Sequence, residues 1–149
     1  MMTRVAAGGA VFVHASDTQL LDGGAVEWIL AQSPDVVLAD GPPLYLSRFT
    51  AAHRRAAWEN ARRLSRGVAT LILDHHLLRS EEGLSWLERL AAETGNAVLA
   101  AADFMGRPRR LLESGRRRLY AEMPVADGWH EDYARGRADT RAYRRFVED

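Results

Sequence analysis

Five polar residues stand where apolar runs give way to turns. Asp17 follows Val11–His14, Asp40 closes Asp35–Asp40, and Asp74, His75 and His76 follow Ala69–Leu73. Carboxylate and imidazole are hard-to-borderline ligands, so the set suits zinc, manganese or iron. In a parallel sheet, ligands gather beyond the carboxyl ends of the strands, where these residues would converge. Each residue also has a plainer role. An Asp after a strand caps a helix or forms a turn, and Gly41-Pro42-Pro43 reads as a rigid turn.

Composition narrows the alternatives. The chain has no cysteine, which excludes thiolate nucleophiles, disulfides and Cys-ligated zinc. It has no lysine either, so Schiff-base chemistry is absent and all basic side-chain charge apart from histidine is arginine. Its 149 residues carry zero formal net charge, so no global field draws the chain to nucleic acid or an anionic membrane. No apolar run has the length of a membrane span and no leader pattern is read at the N-terminus, so a cytoplasmic location is expected.

The elements that must position these residues alternate. Asp22 is expected to cap a helix over Ala25–Gln32, with Val26, Ile29 and Leu30 on one face, and Pro34 follows it. A second helix is expected over Thr50–Ser65, with Ala57, Trp58, Ala61 and Leu64 inward. Ser80 caps a third, with Leu84, Leu87, Leu90 and Ala91 at helical spacing and Gly95 past its end. Ala97–Ala101 is a fourth short strand. Strand–helix alternation implies right-handed crossovers and an α/β fold with a largely parallel sheet. A last helix is expected over Arg107–Ala121. Residues 124–149 read as a charged, loosely packed tail behind a domain of residues 1–123, ending in a short helix near Arg141–Val147.

The segment Arg107–Arg118 is strongly basic. Its Leu111, Leu112 and Leu119 would form a buried stripe, which leaves a solvated arginine face as the plain reading. The functional reading makes Arg109, Arg110, Arg116 and Arg117 candidate phosphate contacts, because guanidinium forks fit phosphate. Aromatic residues are too sparse there for single-strand stacking.

Four strings extend this picture: SDTQLLDGGAVEWI (Ser16–Ile29), DVVLADGPPLYL (Asp35–Leu46), TLILDHHLLRS (Thr70–Ser80) and AADFMGRPRRLLESGRRRL (Ala101–Leu119). In this order they resemble a mainly archaeal family of metallo-β-lactamase-fold proteins, and the chain resembles the C-terminal half of such a protein. The resemblance implies one half of an αββα sandwich, a mixed, mostly parallel sheet with flanking helices. It implies Asp17 as a metal-bridging carboxylate, His75 as the late histidine ligand with His76 as the alternative or an outer partner, and Asp74 holding an imidazole. Asp40 matches a position without an assigned role. The early histidine motif of that superfamily is missing, and His14, His53 and His130 lie at none of its spacings.

The resulting expectation is an incomplete metal-dependent hydrolase of esters or phosphoesters, catalytic through Asp17 and His75. Zinc, or manganese or iron, would be weakly held by this chain alone. A second copy or a complementing chain would cover the second sheet face. A non-catalytic interaction module and an arginine-rich nucleic-acid binder are the competing readings.

Overall fold

The computed structural model of the chain describes residues 1–141. By compactness the chain divides into two units, Met1–Ser114 and Gly115–Asp149. The first is α/β and carries a five-stranded sheet in the order β1 (Met2–Ala7), β2 (Ala10–Ala15), β3 (Val36–Ala39), β4 (Thr70–Leu73), β5 (Ala97–Leu99). Strands β2 to β5 are parallel, and β1 runs antiparallel to β2. The expected α/β class with a mixed, mostly parallel sheet is therefore present.

The hairpin strand β1 was not anticipated. Its turn is Gly8-Gly9, both at positive φ, with Ala7 opposite Ala10. A two-residue turn of this handedness matches the strand twist, and glycine reaches it without strain. A Gly-Gly pair between two short runs was the available signal.

Helices α1 (Gly23–Ala31), α2 (Ala51–Arg66) and α3 (Glu81–Thr94) connect successive parallel strands. Each crossover steps to the next strand in the same direction, so right-handedness puts all three on one face. There α2 packs between α1 and α3. Val13, Ala15, Val37, Ala39, Leu71, Leu73 and Val98 are buried beneath Val26, Ile29, Ala57, Ala61, Leu64, Leu87 and Leu90.

The helix ends follow local chemistry. Asp22 accepts from Gly24 N–H at 2.8 Å, and Ser80 accepts from Gly83 N–H at 3.1 Å. Thr50 and His53 cap each other reciprocally at the start of α2, which gives His53 a structural role. Gly95, at φ 68°, terminates α3.

Within Met1–Ser114, the opposite sheet face carries no layer like that of α1, α2 and α3. Register places Val5, Phe12 and Val36 in one row and His14, Leu38, Ile72 and Leu99 in the next. Val5 is 48% exposed, and Phe12, Val36, Leu38 and Leu99 are half-buried. Phe104, from the short helix α4 (Ala101–Phe104), helps line an apolar depression of about 230 Å³ with Val5, Phe12 and Val36.

The expected helix over Arg107–Ala121 does not form as one piece. Helix α4 ends on Gly106 at φ 64°, with Gly106 N–H donating to Asp103 O and Arg107 N–H donating to Ala102 O. This paired closure stops a helix and turns the chain away. Pro108 follows, without an N–H to offer, and Arg109 turns to Asp103 instead of continuing a helix. Helical structure resumes only at α5 (Arg116–Glu122), and Leu112 is 41% exposed rather than part of a stripe.

The second unit, within its described residues, contains α5 and α6 (Trp129–Ala134), where Trp129 stacks on Tyr133 at 5.1 Å. Of the helix expected near Arg141–Val147, residues 142–147 lie outside the described residues.

Candidate metal centre

The loops after β2, β3 and β4 are tied into one platform by backbone hydrogen bonds. Gly41 N–H donates to Thr18 O at 3.1 Å, and Asp74 N–H to Ala39 O at 3.2 Å. His76 and Leu77 N–H both donate to Asp40 O, at 3.0 and 3.1 Å. Gly41 sits at φ 74°, and a Cβ there would lie 2.9 Å from the Leu77 Cβ, so glycine lets the β3 and β4 loops meet.

This platform brings Asp17, Asp40 and His76 together. One ligand atom from each lies within 4.8 Å of the others. His76 Nε2 is 3.5 Å from Asp17 Oδ1 and 4.0 Å from Asp40 Oδ2. Those separations exceed a good N–H···O bond of roughly 2.7–3.2 Å. They approach the ~3.4 Å edge of a tetrahedron built on ~2.1 Å metal bonds. Two carboxylates and one imidazole therefore fit a divalent cation, with positions left for other ligands.

Burial is uneven across the cluster. The side chains of Asp40 and His76 are 14% and 17% exposed, whereas that of Asp17 is 84% exposed. Asp17 has φ 56°, a left-handed conformation that Asp tolerates better than most residues. Its N–H donates to Asp40 Oδ2 at 3.0 Å, which holds that turn. Among the described residues, His76 Nδ1 is buried and has no hydrogen-bond partner.

His75 lies apart from the ligand cluster. Asp74 leaves the strand, and the next two residues form a turn that sends adjacent side chains in different directions. His75 is exposed, and its Nε2 is 2.9 Å from Arg79 Nη2. Arginine only donates, so His75 Nε2 is the acceptor in this contact. The structure thus brings His76, the alternative to His75, together with Asp17, and places Asp40, whose role was open, with them. Asp74 Oδ2 accepts from Ala101 N–H at 2.8 Å, which ties β4 to α4, and among the described residues Asp74 makes no hydrogen bond to an imidazole.

The candidate phosphate contacts divide similarly. Arg109 is committed to acids, with Nε 2.7 Å from Asp103 Oδ1, Nη2 2.8 Å from Asp103 Oδ2, and Nη1 3.4 Å from Glu88. Arg110 lines a cavity beside Asp74 and His75, while Arg116 and Arg117 are exposed on α5. Sequence reasoning missed Arg79 and Tyr45, whose hydroxyl accepts from Arg79 Nη1 at 3.3 Å. Four-residue spacing from His75 to Arg79 was the available signal.

Arg109 holds the Asp103 carboxyl below the usual carboxylate range, against the opposing effect of burial, and Ala100 N–H adds to the lowering. A depressed folded pKa contributes stability above the unfolded value of about 3.9 and loses it as pH falls through the folded value. Asp103→Ala should therefore cost about 1–2 kcal/mol near neutrality, from the lost cap and charged hydrogen bonds. Urea unfolding at neutral pH and below pH 4 should show the gap to the native chain closing in acid. A gap independent of pH would rule out this role.

The chain is 52% identical over 143 residues to a UPF0282 protein of Methanosarcina mazei, covering 96% of the chain and 47% of that relative. It is 44% identical over 115 residues to a UPF0282 protein of Methanopyrus kandleri, covering 75% of the chain and 39% of the relative. A UPF0282 protein of Pyrococcus horikoshii is 36% identical over 121 residues, covering 80% of the chain and 38% of the relative. The chain thus spans about half, or less, of the length of these relatives. No family model matches it, and no solved structure does. These findings correct the resemblance drawn from the strings. The relatives are UPF0282 proteins of archaea, and nothing in them identifies a metallo-β-lactamase C-terminal half.

Proposed function

We propose that this chain carries one side of a metal-dependent hydrolytic site for ester or phosphoester substrates. Asp17, Asp40 and His76 hold a divalent cation, zinc or else manganese or iron. The convergence of their three ligand atoms at the carboxyl ends of adjacent parallel strands carries the reading. A cation there would lower the pKa of a bound water and polarise the ester oxygen. Asp40 is buried enough to orient the platform, and it fixes the Asp17 turn through the Asp17 N–H. Asp17 faces the open side, where the remaining ligands would enter from a complementing segment or a second chain. The greater length of the relatives supports such a segment. The half-exposed apolar sheet face supplies a surface on which it would dock.

With three ligands, the chain alone should bind the cation weakly and turn over a generic phosphodiester little or not at all. Titration calorimetry with zinc and manganese tests the site directly. His76→Ala should weaken binding at least about tenfold, while His75→Ala leaves it near the native value. Equal losses in the two variants would overturn the ligand assignment. No zinc or manganese binding by the native chain would leave the non-catalytic interaction module in its place.

No helix among the described residues is long and apolar enough to cross a membrane. The nucleic-acid reading has less support than the segment Arg107–Arg118 first offered, since Arg109 is neutralised by Asp103 and Glu88.

A further inference from the structure

Beside the ligand cluster, a cavity of about 360 Å³ opens at the ends of β4 and β5. One wall is Asp74, His75, Leu78 and Arg79, and the other includes Arg110 and Leu111. The volume is near the lower end of small-molecule sites, roughly 300–1,000 Å³.

The arginines near this end of the sheet differ in their partners. Arg54 pairs with Glu82, and Arg109 with Asp103 and Glu88. Arg79 is half-buried and, among the described residues, has no carboxylate partner. Its contacts are two groups other than carboxylates, the Tyr45 hydroxyl and the His75 imidazole. These bonds fix the guanidinium plane without cancelling its charge. Asp74 and Glu113 line the same cavity as Arg79 and Arg110, so acids and arginines balance there once Arg109 is set aside with its own acids, and one Asp74 oxygen already accepts from Ala101 N–H.

A guanidinium held in place with no carboxylate partner is suited to a multi-oxygen anion, which takes parallel N–H donors. We propose that this cavity binds the phosphoryl group of a small phosphomonoester, anchored by Arg79 and held in register by Tyr45 and His75. As the substrate class of the neighbouring cluster, this rests on the hydrolytic reading. As a binding site it does not, and it is measured without metal.

The probes are ribose 5-phosphate, ribose and inorganic phosphate, titrated into the full chain in EDTA at low salt. Ribose 5-phosphate and inorganic phosphate should bind and ribose should not. Arg79→Gln should weaken binding of ribose 5-phosphate at least about tenfold, with Arg79→Lys intermediate, because lysine keeps the charge and loses the fork. Asp17→Ala should leave this metal-free binding unchanged, which separates it from failure of the metal site. If Arg79→Gln does not fold, the native chain still decides the matter: ribose 5-phosphate should protect Arg79 from phenylglyoxal, read by peptide mass spectrometry. Unchanged affinity in a folded Arg79→Gln variant, absence of protection, or binding that appears only with added metal would each overturn the subsite. Tighter binding of a 5′-phosphorylated oligonucleotide than of ribose 5-phosphate would overturn the small-molecule assignment.

Discussion

Gly83→Ala should destabilise the chain by at least about 3 kcal/mol, although alanine in a helix ordinarily gains about 1 kcal/mol over glycine. Gly83 is buried in the first turn of α3, where the 3-10 turn Leu77–Arg79 folds back onto the helix start. A Cβ at this position would lie 1.7 Å from the Leu77 carbonyl oxygen and 2.7 Å from its carbon. Those are backbone atoms, so no rotamer change relieves the clash. Overpacking costs about 1–3 kcal/mol or more, and displacing the Ser80 cap adds about 1 kcal/mol. The midpoint of thermal unfolding should fall by roughly 10 °C for a chain of this size. Leu77 directly follows His76, so zinc affinity should fall as well in whatever fraction remains folded. An alanine variant as stable as the native chain would show that the junction yields without cost.

Leu38→Glu should weaken association of this chain by more than about 100-fold, close to 2.7 kcal/mol. Leu38 lies in β3 on the sheet face opposite α1, α2 and α3, between His14 and Ile72 in the register. Continuous apolar strands such as Val36–Ala39 suit a sheet covered on both sides, yet Phe12, Val36, Leu38 and Leu99 are only half-buried. Completing the burial of a large apolar side chain contributes up to about 1.5–3 kcal/mol, and several such residues share the face. A carboxylate placed in their midst would be buried with only His14 beside it, at a cost of up to several kcal/mol (roughly 3–5 for an uncompensated charge). Sedimentation velocity over a wide concentration range should show the native chain self-associating and Leu38→Glu monomeric, with Arg117→Ala behaving as native. A native chain that stays monomeric throughout would remove the sheet face as an interface.

Much of the fold was legible because its signals are local. The apolar runs at Val36–Ala39 and Thr70–Leu73 are strands, and Asp22, Ser80 and Gly95 punctuate helices where their side chains or backbone freedom act within a few residues. Strand–helix alternation with right-handed crossovers then yields the parallel order β2 to β5. The acids and histidines that follow these strands were also visible, because position in a parallel sheet selects them. The hairpin β1 went unread although its Gly8-Gly9 turn is local. The helix expected after Arg107 failed for a reason outside its own periodicity, since Arg109 is drawn to Asp103 and Glu88.

The identity of the histidine in the cluster was not legible. His75 and His76 are the same side chain one residue apart, and neither hydropathy nor spacing ranks them. The choice is made by backbone hydrogen bonds from His76 and Leu77 to the Asp40 carbonyl, an atom from a different strand loop. They bring His76 to Asp17 and Asp40, while Arg79 engages His75. Tertiary structure likewise separated Asp40 from Asp74, because Ala101 N–H claims the Asp74 carboxylate and the Asp17 turn needs that of Asp40. Sequence by itself determined which residues reach the carboxyl edge of the sheet. Only the packing of three loops against one another decided which of them meet, because a donor satisfied within one loop leaves a side chain free to turn toward the next.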